Sequence, residues 1–380
     1  MSLNATKIAV FAGTRPEVVK TQSIYRALSN LDGIEALFCS TSQQTNILSE
    51  TLKEFNLVPD VTLESPEGPQ SLNAFLARAI QQVGILLEER SINGVVVQGD
   101  TTTGLAVTLA AFNLKVPVFH VEAGLRTGDL SSPFPEEANR RIIDLLSSGV
   151  FPPTEDAKAN LVKENPIFEN AVVVGNTGTD SFLEFLQRHD VQYSSNPSIE
   201  EALRKGKKLI LLTSHRRENF GETMEDIFVK LNSYVAKRED VHLIFPVHPN
   251  PAVKKVAERI FGNNANVEMI SPLPYRQFIG LIKIATVVIT DSGGLQEELL
   301  YTDKPLIIIR ESTERPEVLT QEGVFLAGTN PQRIVDILEE QVMNPTKFNK
   351  REALFGSGNS GELIAQEIVE FYRNRFSTSQ

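Results

Sequence analysis

Lys208-Leu209-Ile210-Leu211-Leu212-Thr213-Ser214-His215-Arg216-Arg217-Glu218-Asn219-Phe220 is the stretch on which both fold and chemistry turn. Lys208 to Leu212 is an apolar, β-type run. It breaks into one imidazole, two guanidinium groups, a carboxylate and an amide. Strands of parallel sheets bury both faces, and their carboxyl ends open onto the crevice where ligands sit. A cationic cluster at such an edge suits an anion with spread charge, a phosphate or diphosphate, because Arg presents a planar fork of donors. A solvated helix start, with His215 and Glu218 paired one turn apart, accounts for the same residues. The stretch alone leaves both readings open.

The pattern repeats on either side. Downstream, strands are expected at His242 to Val247, Thr286 to Thr290 and Pro305 to Ile309. Upstream they fall at Lys7 to Gly13, Glu35 to Ser40, Gly94 to Gly99, Val116 to Val121 and Ala171 to Gly175, with helical runs at Gln43 to Phe55 and Leu72 to Arg90. Between the halves, Ser181 to Lys207 reads as a connector: a helix to Arg188, a polar loop from Ser194 to Ser198 and a charged lead-in. Strand–helix alternation run twice predicts an α/β protein of two doubly wound, Rossmann-like domains facing across a cleft. The expected divisions are residues 1–178 and 179–360, with a last helix, Glu362 to Phe376, packed back on the first domain. Gly356-Ser357-Gly358-Asn359-Ser360-Gly361 fits the G-x-G-x-x-G expression but follows no strand, so it reads as a flexible loop and not a dinucleotide site.

Composition sets the bounds. A chain of 380 residues with 41% hydrophobic residues supports two cores. A net charge of −11 excludes broad binding to nucleic acid or anionic membranes, so any phosphate must be caught by a local cluster. The single cysteine, Cys39, excludes an intrachain disulfide and favours a cytoplasmic location. No run approaches ~18 apolar residues, so no membrane span is expected. Walker-type loops, zinc-spaced Cys/His sets and G-x-S-x-G elbows are absent from the sequence, and neither metal nor cofactor is expected.

Several polar sets stand at strand ends. Gly13-Thr14-Arg15-Pro16-Glu17-Val18-Val19-Lys20 is a tight turn into a helix, with Pro in its first turn and Arg15 at an anion-attracting N-terminus. Asp100-Thr101-Thr102-Thr103-Gly104 offers a carboxylate and three hydroxyls, though Asp and Thr are also plain N-caps. Glu122-Ala123-Gly124-Leu125-Arg126 follows, then Pro133 to Arg141, where Glu136 and Arg140 stand one turn apart and can form a surface ion pair. Asp291-Ser292-Gly293-Gly294-Leu295-Gln296-Glu297-Glu298 lets backbone approach a ligand at a helix start, and Glu314-Arg315-Pro316-Glu317 adds a cation. Arg15, Lys20, Asp100, Glu122, Glu136, Arg140, His215, Arg216, Ser292, Glu298 and Arg315 together make an anion clamp with several carboxylates. That set suits a nucleotide sugar, with carboxylates to move protons and cations to stabilise a departing diphosphate.

The motifs GTRPE-x-x-K, GDTTT, HVEAGLRTG, PFPEEANRR, GNT, HRRENFGE, PVHPNP, TDSGGLQEE and ERPE run in order from residue 13 to residue 317. Jointly they resemble those of the non-hydrolysing UDP-N-acetylglucosamine 2-epimerases. The resemblance implies the two-domain fold shared with GT-B glycosyltransferases, and a homodimer. It implies reversible conversion of UDP-GlcNAc to UDP-ManNAc through a 2-acetamidoglucal, without metal or nicotinamide, supplying ManNAc units for cell-surface polysaccharide. By similarity Asp100, Glu122 and Glu136 handle the proton and His215 assists at the diphosphate. Arg15, Ser292, Gly293 and Gly294 hold phosphate, Glu298 the ribose, and Leu273 with Phe278 the uracil. Gln43, Arg216 and His248 match an activator site of bacterial members, while Asn46 and Pro69 replace a Gln and an Arg there. Leu354-Phe355-Gly356-Ser357-Gly358 stands where the family often has Pro-Tyr-Gly-Asp-Gly. An epimerase of a related UDP-2-acetamido sugar, a GT-B glycosyltransferase and a non-catalytic UDP-sugar sensor are the alternatives.

Overall fold

The computed structural model describes residues 5–41, 45–64, 71–193, 195–346 and 353–377. The first sheet is built from β1 (Thr6–Ala12), β2 (Ile34–Ser40), β3 (Val61–Thr62), β4 (Gly94–Gln98), β5 (Val118–Val121) and β6 (Gly149–Phe151). The second holds β7 (Lys208–Thr213), β8 (Val241–Pro246), β9 (Val267–Ile270), β10 (Val287–Thr290), β11 (Leu306–Ile308) and β12 (Val324–Leu326). All neighbouring strands are parallel. Such strands carry helices over both faces, which is why β4 reads Gly-Val-Val-Val-Gln and is buried at every position. The chain forms two compact units: Met1–Ser181 with Phe355–Gln380, and Phe182–Leu354. The expected α/β class, two doubly wound sheets, is the one adopted.

Strand order is what positions the functional groups. The sheets run β3-β2-β1-β4-β5-β6 and β12-β11-β10-β7-β8-β9. In each, the order reverses between the first strand of the unit and its fourth. In open parallel sheets ligands sit outside the carboxyl ends at that reversal. In the first unit these ends are Gly13-Thr14-Arg15 after β1 and Gly99-Asp100-Thr101 after β4. In the second they are Ser214-His215-Arg216 after β7 and Asp291-Ser292-Gly293 after β10, where paired Thr213 and Thr290 also share a side-chain hydrogen bond of 2.6 Å.

Three expectations need correction. Ala171 to Gly175 is not a strand: it runs unpaired with any sheet, and the sixth place is taken by Gly149–Phe151. The run turns away at Gly175 (φ +83°), and Asn176 N–H bonds the Phe355 carbonyl at 2.8 Å, so its partner is the returning C-terminal segment. The charged lead-in after the connector is a helix, Pro197–Arg204, whose first N–H groups are accepted by the Asn196 side chain at 2.9 and 3.1 Å. Gly356 to Gly361 is anchored: Ser360 is fully buried, and the Ser360 and Gly361 N–H groups donate to Asp180 at 3.1 and 2.7 Å. The last helix, Ser360–Ser377, begins there. Ser194, in the expected polar loop, lies outside the described residues.

Candidate active site

In the first unit, one carboxylate that no motif reading singled out ties two strand ends together. Glu17 is 1% exposed. Its carboxylate accepts from Gly13 N–H at 3.0 Å, Thr14 Oγ1 at 2.8 Å and Thr101 Oγ1 at 2.6 Å. Burial pushes its pKa up, against the pull of those donors. Glu17 thereby fixes the turn that presents Arg15 to the turn that presents Asp100. Arg15 itself opens the helix Arg15–Ser29 and has no ion pair among the described residues.

Two of the expected carboxylates are held by cations. Lys20 Nζ meets Glu122 Oε1 at 2.6 Å, and Gln98 donates to Glu122 Oε2. Glu122 has φ +65°, a costly backbone for a side chain of this size, so its neighbours must fix it. Arg140 reaches Asp100 Oδ2 through Nη2 and through Nε at 3.2 Å, and the Asn139 amide binds the Asp100 carbonyl at 2.9 Å. The expected Glu136–Arg140 pair is not formed: Arg140 turns to Asp100 and to fully buried Glu137 at 3.0 Å. Burial would raise the Glu137 pKa, yet Thr127 and Gly128 N–H groups and the Arg140 charge bring it below the ordinary range. Glu136 is the first residue of the helix Glu136–Leu146 and half-buried.

In the second unit the opening stretch is organised by Asp291, which is 0% exposed. It accepts from His215 N–H at 3.0 Å, Arg216 N–H at 3.1 Å, Ser214 Oγ at 3.0 Å and Asn219 Nδ2 at 3.2 Å. His215 Nδ1 lies 3.1 Å from Asp291 Oδ1. Burial works to raise the Asp291 pKa, but the His215 contacts and the backbone donors hold it below the ordinary value. His215 therefore does not pair with Glu218; Glu218 goes to Arg310 at 2.6 Å. A buried carboxylate ringed by four donor groups outcompetes an exposed one a turn away.

Arg216 and Arg315 converge over Gly293. A Cβ there would stand 2.6 Å from Arg315 Nη1 and 3.2 Å from Arg216 Nη2. Arg216 Nε is buried and meets no partner among the described residues. Glu297 holds Arg315, and Ser292 and Gly294 flank Gly293. Two guanidinium groups gathered over a bare Cα make a pocket for an anion. Glu298 is oriented by the Tyr275 hydroxyl at 2.7 Å. Leu273 and Phe278 lie in the same unit before and within the helix Tyr275–Ile284, both half-buried. His248 is exposed and stacks on His215 at 5.7 Å between centroids. Gln43 and Pro69 lie outside the described residues, as does the Asn46 side chain.

The sequence reading missed Glu17, Gln98, Glu137, Tyr275, Asp291 and Glu297. Glu17, Glu137, Asp291 and Glu297 lie within quoted motifs, but a motif does not show which side chain a residue holds: Glu17 reaches Thr101, Gln98 reaches Glu122 and Asp291 reaches His215, all distant in sequence. Two doubly wound units, one with cation-held carboxylates and one with a guanidinium-lined turn, define an α/β enzyme of the GT-B type. A profile of the UDP-N-acetylglucosamine 2-epimerase family matches residues 26–369. The Escherichia coli K12 protein of that name is 38% identical over 376 residues, covering 98% of this chain and 100% of its own. Its Bacillus subtilis namesake is 35% identical over 372 residues, 97% of this chain and 96% of its own. The crystal structure of Neisseria meningitidis UDP-GlcNAc 2-epimerase bound to UDP-GlcNAc matches with TM-score 0.87 and 34% identity, over 96% of this chain and 100% of that one. This chain belongs to the UDP-N-acetylglucosamine 2-epimerase family.

Proposed function

We propose that the chain is a non-hydrolysing epimerase that interconverts UDP-GlcNAc and UDP-ManNAc. The C2 proton is not acidic, since no carbonyl adjoins that carbon, so C1–O cleavage must run ahead of deprotonation. The C1–O electron pair leaves on the diphosphate, a carboxylate takes the C2 proton, and the new C1–C2 double bond gives 2-acetamidoglucal. UDP then adds back to C1 as a proton is delivered to the opposite face of C2. A reaction led by departure of a dianion needs preorganised positive charge at the diphosphate above all.

The observation that carries this reading is the convergence of Arg216 and Arg315 over Gly293, with the buried Arg216 Nε lacking a partner among the described residues. In this reading His215 assists the leaving diphosphate, and Arg15, Ser292, Gly293 and Gly294 hold phosphate. Glu298 takes the ribose, and Leu273 with Phe278 the uracil. Asp100, Glu122 and Glu136 handle the C2 proton, with Arg140 and Lys20 keeping the first two in place. In the same reading the enzyme is a cytoplasmic homodimer that supplies ManNAc units for polysaccharide, and Arg216 and His248 belong to an activator site.

The test is incubation with UDP-GlcNAc in deuterated water. An epimerase puts deuterium at C2 and yields UDP-ManNAc. Retention of protium at C2, with either no reaction or sugar transfer to an added acceptor, would overturn the reading. Parallel runs with other UDP-2-acetamido sugars define the substrate.

A further inference from the structure

His120 lies two residues before Glu122, is 0% exposed, and has no part in the chemistry above. Its Nδ1 lies 2.6 Å from Asp144 Oδ1 and its Nε2 lies 2.8 Å from the Gly99 carbonyl oxygen. The buried ring thus bridges a helix carboxylate and a strand-end carbonyl. Asp144 Oδ2 also takes Arg126 Nη2 at 2.7 Å and Gly124 N–H at 3.3 Å. Arg126 is gripped in turn by Glu164 at 2.9 and 2.7 Å.

The consequence lies in what these groups hold. Gly99 has φ +70° and is followed directly by Asp100; Glu122 has φ +65° and Gly124 φ +83°. Asp144 and Arg140 are four residues apart on the helix Glu136–Leu146, on one face. Arg140 grips the Asp100 side chain, while Asp144, through His120, grips the carbonyl just before it. The same carboxylate pins the turn that follows Glu122. One helix face therefore sets both strand ends, and the imidazole is the link between them.

We propose that His120, acting with Asp144, is a positioning residue that fixes the relative placement of Asp100 and Glu122 for proton transfer at C2. The proposal rests on the epimerase reading above. Proton transfer is sensitive to shifts of an ångström, so a loosened link between Asp100 and Glu122 lowers turnover more than nucleotide binding, in which neither carboxylate is placed. His120→Gln keeps a donor but cannot bridge carboxylate and carbonyl. Its kcat is expected to fall at least about tenfold, with the Kd for UDP within about twofold of wild type. Tyr372→Phe is the structural control: it removes a buried 2.7 Å bond to the Asn93 carbonyl, just before β4 at its amino end. A kcat loss in His120→Gln no greater than in Tyr372→Phe, once melting temperatures are compared, would overturn the proposal.

Asp144→Asn gives a second measurement, because it loosens the same link from the helix side. Its kcat should also fall with the Kd for UDP within about twofold, and an unchanged kcat would sink the proposal. Wild-type enzyme that never exchanges C2 removes the functional reading and this role with it. Exchange in wild type, unchanged in the variant, removes this role alone.

Discussion

Asp291 shows how a single buried carboxylate can set a site. It is fully buried, and five groups surround it: three backbone or hydroxyl donors, an amide, and the His215 ring. Asp291→Asn replaces one acceptor oxygen with an NH2 group and leaves a donor facing a donor. The expected cost is about 1–3 kcal/mol of stability, together with a fall in kcat of about 10² as the His215 ring is released. A second signature is the pH dependence. The folded pKa of Asp291 is lowered from 3.8, so its stabilisation is complete above that value and is lost as pH falls through the lower folded one. Glu17 has the opposite sign, since its folded pKa is raised from 4.5 and stability from it declines as pH climbs past that value. Melting curves followed from about pH 5 down through 3.8 and below should show a shallower acid loss in Asp291→Asn than in wild type. An identical acid limb would mean that Asp291 folds protonated. The sequence displayed the cations of this stretch but not their organiser. His215 and Asp291 are 76 positions apart, and spacing along a chain reveals only partners one turn or one strand away.

At the scale of elements, long apolar runs were legible and short ones were not. β1, β4 and β7 each bury most of their length, so hydrophobicity alone marks them. β3, with two residues, and β6 and β12, with three each, draw their identity from a neighbouring strand and carry little local signal. Ala171 to Gly175 had the composition of a strand and lacked only a partner. The loop before the last helix misled through its glycines, which serve close packing. A Cβ on Gly361 would stand 2.7 Å from the Ser23 backbone carbon, and one on Gly175 2.6 Å from the Phe355 carbonyl. Gly361→Ala therefore has to push the helix Ser360–Ser377 off the helix Arg15–Ser29, at a cost of about 2 kcal/mol or more. Thermal melting would read this as a clear drop, and an unchanged melting temperature would show that the two helices can slide. Gly293 makes a different case, because its neighbours are guanidinium tips that can swing aside. Gly293→Ala should fold normally yet raise the Kd for UDP about tenfold, the equivalent of about 1.4 kcal/mol. Titration calorimetry with UDP checks it, and an unchanged affinity would remove the anion pocket from this turn.

At the scale of the whole molecule, charge and labour are divided. With a net charge of −11 the protein repels an anionic ligand at long range, so affinity must come from a few cations placed by the fold. Those of the second unit, Arg216 and Arg315, are gathered over Gly293. In the first unit Arg140 and Lys20 are each paired with a carboxylate proposed to move a proton. Carboxylates beside a diphosphate would weaken its binding, so it helps that the guanidinium-lined turn and the carboxylates are built on separate units. Variants should then separate into two classes. Asp100→Asn, Glu122→Gln and Glu136→Gln should each lower kcat by about 10² or more, in keeping with loss of a general acid or base, while the Kd for UDP stays within about twofold. Arg315→Ala should instead raise the Kd for UDP by about tenfold to a hundredfold, the worth of one charge-assisted contact of about 1.5–3 kcal/mol. Both quantities come from one preparation of each variant, by C2 exchange in deuterated water and by UDP titration. If the carboxylate variants lose UDP affinity as much as turnover, those carboxylates serve nucleotide binding, and their assignment to proton transfer is wrong.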